Sequence, residues 1–224
     1  MVVAVGIGGW GVKTCAQFVH TKAIKKYALI DSDDRTVSEM SGIDSRLIVL
    51  PPSTATLGPT ESWTDMYNSQ DLLVEKSIDL ISRLVRHDSG DQKEVIFFHS
   101  LGGVTGSALS VRICEDLHIP SCRITCVSLL PIREFVSPHV NAFVIASLAG
   151  LKKCVDKILL IDAVDANIFK AISLSRSGMS DKTNCIIISS REGMLSQWLD
   201  LPERVLKKAT IDSEILKEAL MSLI

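Results

Sequence analysis

The chain has 224 residues, 46% of them apolar, which is enough to bury one sizeable core and matches the length of a single α/β domain. A formal charge of −2 excludes a nucleic-acid or membrane-surface role that rests on bulk electrostatics. Six cysteines without a C-x-x-C pair, and histidines that do not cluster, point to neither a zinc site nor a disulfide frame, and no run approaches the roughly 20 apolar residues of a membrane span. The expectation is a soluble cytoplasmic protein with no nucleic-acid partner and no membrane span.

Short apolar runs alternate with helical patterns along the chain. "VVAVG" predicts a strand and residues 11–22 a helix; "YALID" is a strand closing on Asp31, and "RLIVL" a third, stopped by Pro51 and Pro52. The stretch 51–70, rich in Pro, Ser and Thr, reads as the loosest region. In "DLLVEKSIDLISRLVRH" a helical stripe of Leu73, Val74, Ser77, Ile78, Ile81, Leu84 and Val85 leaves Asp71, Glu75, Lys76 and Arg83 to solvent. Then come the strand "EVIFFHS", a helix from Thr105, the strand "RITCVSLL", a helix from about Pro138, the strand "KILLI", a helix from Asp162 and the strand "NCIIISS". This order predicts an α/β fold, a mainly parallel sheet with helices on both faces, over residues 1–190. Residues 191–224 read as short helices, packed back on that domain or offered to a partner. Cys114, Cys122 and Cys126 read as small core residues, and His20, His87 and His118 as helix-end or turn residues.

Two strand-to-helix junctions are glycine-rich. "GIGGWG" satisfies G-x-G-x-x-G after a strand, and Asp31 ends the next strand twenty residues beyond Gly11, where a dinucleotide fold places its ribose-binding acid. It is not a P-loop, because Val12 separates Gly11 from Lys13. A Rossmann-type site for NAD or ATP on Gly6, Gly8, Gly11 and Asp31, and a turn used only for close helix packing, both remain open for this loop alone.

The second junction, "HSLGGVTGSA", is similar to the signature loop G-G-G-T-G-[ST]-G of the tubulin/FtsZ family, and His99-Ser100-Leu101 resembles the eukaryotic tubulin form of the residues before it. Other stretches fall into the family's order over about residues 2–190. "ALIDSDDRTVSEM" resembles V-D-x-E-P-T-V, "LGPTESWTDMY" the loop G-x-x-N-N-W-A-x-G-H-Y, "FVSPHVNAFVIASL" the ribose loop V-E-P-Y-N-A-x-L-S, and "LLIDAVDANIF" the start of the central helix. The resemblance implies a Rossmann-like nucleotide-binding domain in which two glycine loops hold one GTP or GDP. It assigns the phosphates to backbone N–H groups of Gly8, Gly9, Trp10, Gly11 and Val12 and of Gly102, Gly103, Val104, Thr105, Gly106 and Ser107. It also implies Asp31 beside the phosphates, Asp33 towards Mg²⁺, Gly58 in the loop at the third phosphate, Asn141 at the ribose and Asp165 at the base.

The departures from the family pattern shape the functional expectation. Val104 and Ala108 replace signature glycines, so a φ > 0 requirement at either would carry strain. Trp10 stands where the family has a small residue, Ser137 where tubulin has a glutamate, and Ala163 where it has the base-binding asparagine. No G-x-x-N-x-D occurs, the loop whose acid positions water against a neighbouring subunit's GTP; "SGMSDKTN" offers only Asp181. The resemblance ends without the family's second domain. What it implies is a shortened tubulin-like GTP-binding protein, weak or inactive as a GTPase alone, acting through association with other protein subunits in a cytoskeleton-related role. A pseudo-GTPase scaffold with an empty pocket and a Rossmann-type NAD/ATP enzyme are the alternatives.

Overall fold

The computed structural model describes residues 2–20, 24, 26–33, 36, 44, 48–49, 62–86, 93–131, 138–162 and 185–188. In chain order these give β1 (Val2–Ile7), α1 (Gly8–His20), β2 (Lys26–Ile30), β3 (Ile48–Val49), α2 (Ser62–Ser69) and α3 (Asp71–Arg86). There follow β4 (Lys93–Ser100), α4 (Val104–Asp116), β5 (Cys122–Leu130), α5 (Pro138–Cys154), β6 (Lys157–Asp162) and β7 (Cys185–Ile188). The strands form one seven-stranded sheet in the order β3-β2-β1-β4-β5-β6-β7. Each pairing is parallel, in the register Gly6↔Leu29, Gly6↔Phe98 and Phe98↔Val127 through its centre.

The strands read as continuous apolar runs because both faces are covered. On one face Val3, Val5, Ile7, Ala28, Ile30, Val95, Phe97, Cys126, Ile158 and Leu160 pack into one core with α2, α3, α4 and α5. On the other, Ala4, Leu29, Ile96, Phe98, Val127, Leu159 and Ile161 meet Val12, Cys15 and Phe18 of α1, whose Phe18 ring stacks on Phe98 at 5.6 Å. The expected α/β architecture with helices on both faces is therefore observed. Cys114 and Cys126 are buried and Cys122 half-buried, so the core reading of these cysteines holds for the first two.

Three boundaries differ from expectation. Helix α1 begins at Gly8 rather than residue 11, because first-turn residues need no intrahelical partner for their N–H groups, so glycines are tolerated there. Residues 62–69, inside the stretch read as loose, form α2, whose Trp63 and Met66 are buried in the core. The ring of Trp63 stacks on Tyr67 at 5.4 Å and on Phe143 of α5 at 6.0 Å. Third, α4 begins one residue early, at Val104. The expected helix from Asp162 and residues 191–224 lie outside the described residues.

Helix packing sets the position of the loops. A Cβ on Gly11 would lie 2.0 Å from the Phe98 carbonyl oxygen, so only glycine lets α1 lie this close to β4. Gly9, by contrast, has no atom of the described residues nearer than 3.7 Å. In urea denaturation, Gly11→Ala is expected to lose at least about 3 kcal/mol or fail to fold, since backbone must move to admit the methyl. Gly9→Ala should stay within about 0.5 kcal/mol of the parent protein.

Candidate functional site

The strand order reverses between β1 and β4: β2 and β3 extend the sheet one way, β4 to β7 the other. Helix α1, leaving β1, therefore lies on one face, and α4, leaving β4, on the opposite face. A crevice opens between their N-termini at the carboxyl ends of the strands, the position at which α/β sheets bind ligands. The two junctions touch there. Gly8 has φ +69°, and a Cβ on it would sit 2.9 Å from the Gly106 nitrogen and 3.2 Å from its Cα. Gly106 is pressed in turn against Ser100 O and Ile7 O, at 2.8 and 3.3 Å from a notional Cβ. A third segment joins them, because the Ser32 and Thr105 hydroxyls share a hydrogen bond of 2.6 Å.

Neither helix N-terminus is compensated by a nearby acid of its own. Neither carries an acidic residue in its first turn, and α4 starts from an extended Gly103 (φ −98°, ψ 141°) with no side-chain cap. The N–H groups of Val104, Thr105 and Gly106 belong to that first turn, whose donors have no intrahelical acceptor. Two positive helix ends at one crevice suit a polyanion. Ser107 is different. Its N–H donates to Gly103 O at 3.0 Å and its hydroxyl to Gly103 O at 2.7 Å, so both donors are spent inside the helix. Val12 is fully buried, and Trp10 lies partly buried against the α1-face core. Gly103 has open space around it, while Gly102 is packed against Pro131.

Val104 and Ala108 carry no strain. Both lie in α4, and among the described residues the only non-glycine with positive φ is Ser121. The signature tolerates their side chains because neither position requires a left-handed backbone.

At the end of β2, Asp31 is buried and its Oδ1 accepts the Ser32 and Asp33 N–H groups at 2.7 and 3.3 Å, whereas Oδ2 has no hydrogen-bond partner among the described residues. Burial raises its pKa, opposed by those N–H groups and the Thr36 hydroxyl, and the Asp33 charge raises it further. Asn141, in the first turn of α5 beyond β5, is likewise buried with Oδ1 unpartnered. Of the buried polar atoms unpartnered among the described residues, Asp31 Oδ2 and Asn141 Oδ1 lie at the carboxyl edge of the sheet, where a ligand would complete them, while Trp63 Nε1 and Arg112 Nε lie away from it. Gly58 and Asp165 lie outside the described residues. No cluster of three or more His, Cys, Asp or Glu able to hold a metal occurs among the described residues. An open groove of about 530 Å³ lies elsewhere, between α3 and α4. Its acids Asp71, Glu75, Asp79 and Asp116 make it unsuited to an anion, and Arg112 is paired with Asp71 and Asp116 at 3.6 and 3.3 Å.

His99, which the sequence marks as the end of a strand and part of the tubulin-like run before the signature but gives no role, is fully buried behind the second loop. Its Nδ1 lies 3.1 Å from Gly106 O and 3.1 Å from Ser110 Oγ, and its Nε2 lies 2.7 Å from Ser128 Oγ. A carbonyl only accepts, so Nδ1 carries the proton and Nε2 accepts from the Ser128 hydroxyl. Burial lowers the pKa to about 4, opposed by the Gly106 bond. The sign follows: unfolded chain protonates near 6.5 and folded protein only near 4, so His99 makes the protein lose stability as pH falls through that window. Unfolding free energies from urea titrations should fall between pH 7 and pH 4 by on the order of 3 kcal/mol more in the parent than in a folded His99→Asn variant.

The family model described as "Tubulin/FtsZ family, GTPase domain" matches residues 1–166, roughly three quarters of the chain. No match is found among curated proteins. The matched span contains both glycine junctions, the reversal of strand order between them and the segment after β2 that bonds to the second loop. The chain belongs to the tubulin/FtsZ family.

Proposed function

We propose that the crevice between α1 and α4 binds a guanine nucleotide, with the phosphates on the first-turn N–H groups of both helices. The observation that carries this reading is the Gly8–Gly106 contact, which brings two helix N-termini without first-turn acids to one point. Membership of the family supplies the nucleotide class, GTP or GDP. On the first helix the donors are Gly8, Gly9, Trp10 and Gly11, and on the second Val104, Thr105 and Gly106. Asp31 faces the ligand with its unpartnered Oδ2, and Asn141 takes the ribose side. Magnesium needs only one or two carboxylates when phosphates complete its shell, so Asp33, next to Asp31, suffices as the protein's contribution. Asp165 is assigned to the base.

Turnover by the isolated protein is proposed to be weak or nil. Hydrolysis of a phosphoanhydride requires a positioned water as well as charge stabilisation, and the sequence has no G-x-x-N-x-D to supply the positioning acid. Function then lies in nucleotide-dependent association with other protein subunits, in a cytoskeleton-related setting.

Gly103 allows a test that separates ligand from fold. Its backbone already has the extended conformation of an N-cap, and no atom of the described residues lies within 4 Å of a Cβ there. Gly103→Asp should therefore leave stability unchanged or raised by a few tenths of a kcal/mol, because Asp is a favoured cap. The same carboxylate occupies the first-turn N–H groups and repels phosphate, so calorimetric affinity for GDP should fall at least about 100-fold. Gly103→Asn, which caps without charge, should fall less. Unchanged affinity in Gly103→Asp would remove the second loop from the site.

With GTP and Mg²⁺ at high protein concentration, phosphate release should remain near the uncatalysed background and light scattering flat. Robust turnover would show that another residue, such as Asp181, positions the water.

A further inference from the structure

We infer that His99 is a positioning residue for the second glycine loop: its ring fixes the first turn of α4 where that turn meets Gly8. The consequence for ligand affinity rests on the nucleotide reading above; the effect on the loop does not. The ring is held from three elements, by its own strand β4, by Gly106 and Ser110 of α4, and by Ser128 of β5. Both ring nitrogens are matched, and none of these partners is charged. The Nδ1–H bond ends on the carbonyl of Gly106, the residue whose nitrogen faces Gly8.

A hydrophobic residue at position 99 would fill the space but leave Gly106 O without its lateral donor and the Ser128 hydroxyl without an acceptor on the ring. The first turn of α4 would then be held by packing of Gly106 against Ser100 and Ile7 and by the Ser32–Thr105 hydrogen bond, with nothing bonded to its Gly106 carbonyl from the strand. Because its own N-terminus carries no side-chain cap, this turn depends on the histidine more than an ordinary capped helix would. An asparagine places an N–H donor close to where Nδ1 sits, so it separates the hydrogen bond from the ring's bulk.

The test uses the full chain, as parent, His99→Asn and His99→Leu. Amide hydrogen exchange without nucleotide, at residues 102–107 and at α3 as a reference, reads the loop itself. Fluorescent GDP binding reads the site. His99→Leu should exchange about tenfold faster at 102–107 with α3 unchanged, the loss of one buried hydrogen bond. It should bind GDP about tenfold or more weaker, whereas His99→Asn stays within about threefold of the parent in both. If His99→Leu does not fold, Ser128→Ala removes only the bond at Nε2 and should speed exchange at 102–107 by about threefold. Parent-like exchange at 102–107 in folded His99→Leu, or in Ser128→Ala when His99→Leu does not fold, overturns the inference. Faster loop exchange together with no GDP binding by any form, the parent included, sustains the positioning role and refutes the nucleotide reading instead.

Discussion

Everything at the candidate site depends on a backbone-to-backbone contact between Gly8 and Gly106. A side chain at either position would push the two junctions apart, because each notional Cβ falls within 3 Å of main-chain atoms across the contact or of the adjoining strand. The contact lies at the point where strand order reverses, so the helices leave it on opposite faces of the sheet while their N-termini stay together. One helix terminus attracts an exposed anion by only about 0.3–1 kcal/mol. Two such termini in a shared crevice suit a polyphosphate better than a single charge, which is the reading proposed for this site.

That geometry needs support on both faces. On one, the absence of a side chain at Gly11 brings α1 down onto the Phe98 carbonyl, and the Phe18–Phe98 stack extends the contact. On the other, Gly150 of α5 lets that helix approach Val111 of α4, so α4 is wedged between the sheet and α5. Between α4 and the sheet sits a polar group of His99, Ser110 and Ser128, all fully buried. A buried neutral imidazole with both nitrogens bonded is tolerated there, and it ties a strand, a helix and a second strand to one another.

Much of this was legible in the sequence, for physical reasons that can be named. Apolar runs without alternation mark strands covered on both faces, which is why β1, β2, β4, β5, β6 and β7 were found with ends within a residue or two. The glycine junctions stood out because close backbone approach excludes other residues. The start of α1 was set too late because interior glycine disfavours helix, a penalty that first-turn positions escape. Helix α2 was hidden by its polar neighbours, although Trp63, Met66 and Tyr67 stand at the i, i+3, i+4 spacing of a helical stripe. Strain at Val104 or Ala108 hinged on a left-handed backbone, and the helical backbone there does not require one. The role of His99 was not legible, since its partners lie 7, 11 and 29 residues away and only the folded sheet brings them to the ring.

The central claim is that two helix N-termini form one guanine-nucleotide site. The most direct measurement is the nucleotide content of the protein purified without added nucleotide, released by denaturation and resolved by anion-exchange chromatography. A two-loop site of this family predicts GDP or GTP approaching one per chain. A protein that releases no nucleotide, or an adenine nucleotide or NAD in its place, would contradict it.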